Sequence, residues 1–229
     1  MRPGPLRLAV LVSGRGSNLG AVLDAVAEHR LRDVQPVLVI SNRAGVPALA
    51  LASAHEVPSR VLTRAAFASP DARDLAIGTA IADSGAELAL LAGYDQLLRP
   101  PYFAAFRRRT INIHPSLLPR HGGRGMVGLA VHRAVLAAGD GVTGVTVHEV
   151  TETLDAGPPI AQVAVPVLPG ESAEELAERV LAVEHLTLVE VLGRLAAEGS
   201  EEGEPASMTA ASSPAGAARG SHERRRTHA

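Results

Sequence analysis

The sequence predicts an α/β fold, a mainly parallel sheet flanked by helices, and three observations carry that prediction. Short apolar runs alternate with amphipathic stretches from Leu8 to Ala138, as expected for buried strands covered on both faces. A glycine-rich segment, Ser13-Gly14-Arg15-Gly16-Ser17-Asn18, links the first apolar run to the first amphipathic stretch. Beyond Gly141 the style changes: the apolar runs Val142–Val150 and Ile160–Val167 flank Asp155-Ala156-Gly157-Pro158-Pro159 and predict a partly antiparallel C-terminal portion.

In order, the apolar runs predict strands near Leu8–Val12, Val37–Ser41, Arg60–Leu62, Leu88–Ala92 and Thr110–His114. Apolar residues at three- and four-residue spacing predict helices over Asn18–Glu28, Pro47–His55, Asp71–Ser84, Pro101–Phe106 and Gly128–Ala138. A long helix should follow from Ser172 to about Ala197, because Ser172 and Glu175 form a capping box.

The 229 residues suit one domain with an appendage, and a hydrophobic fraction of 46% is ample for a core. With aromatics at only 2%, that core must be Leu, Val and Ala. The predicted domain is 1–198. From 199 to 229 the composition turns to Glu, Gly, Ser, Ala and Pro with a closing Arg224-Arg225-Arg226, which predicts a disordered tail. Leu8–Val12 is too short for a signal peptide or a membrane span, so a cytoplasmic protein without membrane contact is expected. A net charge of −2 and the lack of a basic, aromatic-laced stripe argue against nucleic acid and toward small-molecule ligands. All 22 basic residues are Arg, which excludes Schiff-base and P-loop lysine chemistry, and the absence of Cys excludes thiol nucleophiles.

The segment Ile111-Asn112-Ile113-His114-Pro115-Ser116-Leu117-Leu118-Pro119 is the most informative. On a strand the period of two sends Asn112 and His114 to one face, and Pro115 ends the strand there. Ligands of open α/β sheets bind where strands end. Asn occurs only at 18, 42 and 112, so an amide kept beside a histidine calls for a reason.

The glycine segment 13–18 could bring backbone N–H groups and a helix N-terminus to one phosphate. It fits a dinucleotide poorly, since Leu19 stands where a third glycine belongs and Ser41-Asn42-Arg43 where an acid belongs. The alternative is a plain turn in which Ser17 or Asn18 caps the helix. His121-Gly122-Gly123-Arg124-Gly125-Met126-Val127-Gly128 reads equally as a mobile lid or a surface loop. Asp155 alone reads as a turn residue, and the nine His have no zinc-like spacing, so no metal is expected.

Together, Ser13-Gly14-x-Gly16-Ser17-Asn18-Leu19, Asn112-x-His114-Pro115-Ser116-Leu117-Leu118-Pro119 and Leu154-Asp155-x-Gly157-Pro158 resemble the glycinamide ribonucleotide formyltransferases of purine synthesis, over about residues 6–195. The conjunction of motifs in the family's order is what makes the resemblance specific. It implies a Rossmann-like formyltransferase fold and transfer of a formyl group from 10-formyltetrahydrofolate to the amine of glycinamide ribonucleotide. It further implies Asn112, His114 and Asp155 as the catalytic trio, Gly16, Ser17 and Asn18 as phosphate ligands, and Glu184 as a ribose-hydroxyl ligand. Leu91, Asp95, Gln96, Leu97 and Leu98, with Asn112 and with Val150, Thr151, Glu152, Thr153, Leu154 and Asp155, are implied as the folate pocket, working largely through backbone groups. A monomer or homodimer is expected.

Two departures stand out. Phe67-Ala68-Ser69-Pro70 replaces the family's usual Phe-x-Ser-Arg, with Arg73 about one turn on as the expected substitute, and Asp95-Gln96 replaces the usual Met-Arg. The residue types suit the chemistry. An oxyanion needs donors, which the Asn112 amide and a protonated His114 provide, and a carboxylate at Asp155 would favour the imidazolium. Methionyl-tRNA formyltransferase, which shares the Asn-x-His and Asp core, would need a tRNA-binding domain for which the residues after Ala197 are too few and too polar. Formyltetrahydrofolate deformylase would need a regulatory domain. A catalytically silent nucleotide-binding module would have no use for Asn112, His114 and Asp155.

Overall fold

The computed structural model describes residues 4–201. Strands β1 (Leu6–Val12), β2 (Val34–Ser41), β3 (Ser59–Val61), β4 (Leu88–Leu91) and β5 (Arg109–His114) alternate with helices α1 (Ser17–Ala27), α2 (Pro47–Ala54), α3 (Pro70–Asp83) and α4 (Pro100–Ala105). Then come α5 (Leu129–Ala137), β6 (Val142–Glu149), β7 (Pro159–Pro166) and α6 (Ala173–Glu201). One sheet holds the strands in the order β3-β2-β1-β4-β5-β6-β7. β1 to β5 are mutually parallel, while β6 runs antiparallel to both β5 and β7.

The central strands are apolar at consecutive positions because both faces are covered. On β1, Leu8, Val10 and Val12 join a core shared with Leu19 and Val22 of α1, Ala48 of α2, Val135 of α5 and Leu188 and Leu192 of α6. Ala9 and Leu11 point the other way, to Ile77 and Ile81 of α3 and Tyr102 of α4. Burying a Leu or Ile fully contributes roughly 1.5–3 kcal/mol, so such positions dominate the stability. The few aromatics are concentrated rather than absent: Tyr94, Tyr102 and Phe106 are buried in the second core, where the Tyr102 hydroxyl bonds Thr110 Oγ1 at 2.8 Å.

Local signals explain the helix ends. Ser69 Oγ accepts from Ala72 N at 3.1 Å ahead of Pro70, which starts α3. The Ser172–Glu175 box is made in both directions, at 2.8 and 3.2 Å. The structure differs from expectation in three places: a 3-10 turn at Arg64–Ala66, an edge strand β3 exposed at all its residues, and α6 running to Glu201, past its expected end near Ala197. The remainder of the expected tail lies outside the described residues.

Candidate active site

The parallel strands all end on one edge of the sheet, and β5 delivers Asn112 and His114 there. The antiparallel partner β6 sets His148 opposite Asn112 and Thr146 opposite His114. Asn112 Nδ2 lies 3.1 Å from His148 Nε2, while His148 Nδ1 is 2.8 Å from the Glu149 carbonyl. A neutral ring with its proton on Nδ1 satisfies both contacts, donating to Glu149 and accepting from Asn112. Burial pushes the His148 imidazole below its ordinary 6.5, against the Glu149 bond and the Asp155 charge. One amide hydrogen of Asn112 is thus engaged, and the second has no bond among the described residues.

His114 is buried, with Nε2 2.9 Å from the carbonyl of His121 and Nδ1 3.9 Å from Asp155 Oδ2. Both ring nitrogens face oxygen. Asp155 Oδ1 is 3.7 Å from His148 Nε2, so the carboxylate sits between two imidazoles. Its aim is fixed by the backbone: Asp155 has φ 51, in the left-handed region that Asp tolerates better than most residues, and Oδ2 accepts from Gly123 N at 2.7 Å. The turn then requires Gly157, where a Cβ would lie 1.9 Å from the Glu149 carbonyl oxygen. Thr146 pins the segment after β5, donating to the Ser116 carbonyl at 2.7 Å and accepting from Leu118 N at 3.0 Å.

The 121–128 loop forms a wall of this cluster. His121 Nε2 bonds Asp140 Oδ2 at 2.6 Å, Arg120 pairs with the same carboxylate, and Gly123 holds Asp155.

The turn after β1 approaches α2. Gly16 has φ 78 and ψ 30, and a Cβ there would lie 2.6 Å from Ala48 Cβ. Helix α1 has no side-chain cap, so neither Ser17 nor Asn18 plays the plain capping role. The first amide groups of a helix lack acceptors within it and point to its mouth. Asn18 instead reaches Glu184 of α6, Nδ2 to Oε1 at 3.5 Å, and its own Oδ1 is buried without a partner among the described residues. Burial pushes the Glu184 carboxyl up to about 7, with the Asn18 amide acting in the opposite sense.

Among the expected folate residues, the side chains of Leu91 and Leu98 belong to the second core, so only their backbone can meet a ligand. Gln96 Oε1 is buried with no partner, whereas Leu97 and Leu154 are exposed. Val150 N bonds the Thr110 carbonyl at 2.8 Å, and Thr151 Oγ1 bonds the Thr153 carbonyl at 3.0 Å. Glu152 is exposed. Asp95 turns its side chain toward Ser13, Asn42 and Arg43. The expectation for Arg73 is corrected: its guanidinium is buried against Asp74 Oδ1, at 2.8 Å from Nε, while Asp74 Oδ2 takes Arg99 N at 3.0 Å. The ion pair lies within α3 and leaves no charge for a ligand, while the bond from Arg99 N fastens α3 to the start of α4. Among the described residues no group of three His or acidic side chains could hold a metal ion.

Sequence reasoning missed His148 and Thr146. The available signal was the antiparallel reading of Val142–Val150, which would have set a histidine across from Asn112.

The formyl transferase family model matches residues 6–192. The trifunctional purine biosynthetic protein adenosine-3 of Drosophila pseudoobscura pseudoobscura is 40% identical over 191 residues, 83% of this chain and 14% of that protein. The chloroplastic phosphoribosylglycinamide formyltransferase of Arabidopsis thaliana is 37% identical over 198 residues, 86% of this chain and 67% of the relative. The chain thus spans about a seventh of the length of the insect relative. In structure it is similar to glycinamide ribonucleotide transformylase 1 from Symbiobacterium toebii, with a TM-score of 0.80 and 40% identity covering 86% of this chain and 90% of the other. Similarity extends to the phosphoribosylglycinamide formyltransferase from Bacillus halodurans, with a TM-score of 0.78 and 30% identity over 84% and 96% of the two chains. With a family match over most of its length and solved relatives of the same fold at 30–40% identity, this chain belongs to the formyl transferase family.

Proposed function

We propose that the chain transfers the formyl group of 10-formyltetrahydrofolate to the amine of glycinamide ribonucleotide. The observation that carries this reading is the convergence of Asn112, His114 and Asp155 on one sheet edge, together with the approach of Asn18 to Glu184 across the fold. Gly16, Ser17 and Asn18 hold the phosphate, the buried acid of Glu184 meets a ribose hydroxyl, and residues 95–98 with 150–155 receive the pterin through backbone groups. The unpartnered Gln96 Oε1 and Asn18 Oδ1 are acceptors that such ligands can satisfy.

Asn112, through its free amide hydrogen, and His114 stabilise the oxyanion that forms when the amine attacks the formyl carbon. His114 then gives its proton to the departing folate nitrogen. Asp155, fixed by Gly123, supports positive charge on the ring and takes up the amine proton through water. No covalent enzyme intermediate is needed. We place the protein in the cytoplasm as a monomer or homodimer, with residues 1–198 as the catalytic domain. No helix among the described residues is long and apolar enough to cross a membrane.

The test is purified protein with 10-formyltetrahydrofolate, with and without glycinamide ribonucleotide, following tetrahydrofolate release. Release that depends on the ribonucleotide is expected. Equal release without it would make the protein a hydrolase, and none at all would make it a silent binding module.

A further inference from the structure

The chain runs outward from β1 to β3 and then returns to the other side of β1 at β4, so the strand order reverses between β1 and β4. In open α/β sheets the loops that follow strands at such a reversal generally diverge and leave a crevice. In this protein the two loops are joined by Asp95. The Ser13 hydroxyl accepts from Asp95 N at 3.0 Å and donates to its Oδ1 at 2.9 Å. Asn42 Nδ2 donates to the same oxygen at 2.8 Å, and the Arg43 guanidinium pairs with Oδ2. Arg43 Nη1 also donates to the Ser13 carbonyl at 3.1 Å. Ser13 and Asn42 are buried, and the Asp95 side chain is 21% exposed.

One carboxylate on the β4 loop therefore collects donors from the ends of both β1 and β2. Resemblance places Asp95 with Gln96, Leu97 and Leu98 in the folate pocket through backbone groups, yet its side chain faces the residue that leads into the glycine turn. We propose that Asp95 is a positioning residue for the ribonucleotide, holding the Gly14–Asn18 turn in place from the folate-side loop. The inference rests on the ribonucleotide reading of that turn given above. A turn with two glycines has much conformational freedom to lose when it closes on a phosphate. Here one end is tied through Ser13 to Asp95, and the other through the Gly14 carbonyl to Ala48 N at 3.2 Å and by Gly16 against Ala48. A carboxylate near a phosphate site would repel the ligand, and Arg43 cancels that charge locally.

Ser13→Ala cuts the tie without altering charge, which separates anchoring from electrostatics. In calorimetric titrations of the full chain, Ser13→Ala should weaken glycinamide ribonucleotide binding about tenfold, the value of one or two lost hydrogen bonds, and tetrahydrofolate binding less than about twofold. In an Asp95→Ala background the carboxylate partner is gone and only the backbone N–H of residue 95 still meets the Ser13 hydroxyl, so the same Ser13→Ala change should move ribonucleotide affinity by no more than about threefold. Equal effects in both backgrounds, or a folate loss matching the ribonucleotide loss, would overturn the assignment. Amide hydrogen exchange of residues 14–18 gives a ligand-free readout: faster exchange in either single variant supports the anchor, and unchanged exchange overturns it. If the unaltered protein binds no ribonucleotide, the functional reading fails while the exchange result still decides the anchoring.

Discussion

Replacing Glu184 by Gln should change how stability depends on pH. Burial raises its carboxyl from 4.5 to about 7, so the folded chain resists ionisation that the unfolded chain accepts freely. The sign follows from linkage: with the folded value raised, the associated stability is complete below pH 4.5, falls as the pH rises to about 7, and is flat above. The gap between those two values corresponds to ~3 kcal/mol at alkaline pH, most of it lost between pH 5 and pH 8. For a domain of this size that is about 5–10 °C in Tm. Glutamine preserves the shape and does not ionise, so Glu184→Gln should match wild type within ~1 kcal/mol at pH 5 and exceed it by ~2–3 kcal/mol at pH 8. Thermal melts of both proteins at the two pH values measure this directly, because every other titrating group is common to both. Parallel pH dependences would refute the argument. A destabilising buried acid of this kind is expected where it serves a ligand, so saturating glycinamide ribonucleotide should raise the Tm of wild type more than that of the variant.

His114→Ala should lower kcat by roughly 10²–10⁴ with ribonucleotide affinity little changed, and near-wild-type turnover in a folded variant would remove the ring from the mechanism. Asp155→Asn keeps the shape and the possibility of a bond from Gly123 while removing the charge, so steady-state assays should show turnover reduced by at least about tenfold with a native circular dichroism spectrum. His148 is held below 6.5 by burial, so its contribution to stability is present above that pH and is lost as pH falls through the lowered value. There Nε2 becomes a donor facing the Asn112 amide, and the acid limb of the kcat profile should shift in His148→Gln; an unmoved limb would place the control elsewhere. Gly16→Val demands a side chain at φ 78 and 2.6 Å from Ala48 Cβ, so ribonucleotide binding should fall at least about tenfold with tetrahydrofolate binding retained, whereas equal loss of both would indicate general disruption.

The parallel half of the sheet was legible because buried strands declare themselves as consecutive apolar residues, and Leu8–Val12 and Leu88–Ala92 are covered on both faces. Asn112 and His114 were legible as a pair because a strand's period of two is a local property. His148 was not, since a lone histidine on an apolar strand becomes meaningful only through its register with β5, set across residues 115–141. The Asn18–Glu184 contact joins residues 166 apart and has no local signature, so only resemblance pointed to Glu184. Arg73 was misassigned by proximity in sequence: one turn from the missing arginine, it faces inward to Asp74, and no periodicity announces which Arg on a mixed helix is buried. Asp95 was assigned with its loop, although in such an open segment each side chain chooses its own direction.

The β5–β6 pairing bears on how this reacting centre can change over time. Asn112 and His148 face each other because of backbone hydrogen bonds between two strands, not because of anything in residues 115–141 that separate them in the chain. A residue gained or lost within either strand would rotate its side chains to the opposite face and dismantle the centre in one step. Gains and losses in the 121–128 loop leave the ladder and the core helix α5 untouched, provided the Gly123–Asp155 and His121–Asp140 contacts can be remade. The fold thus separates a rigid inheritance, the strand register, from a segment open to insertion and drift. A change in the size of the acceptor admitted is accordingly expected to arise first as a change of length between His121 and Gly128.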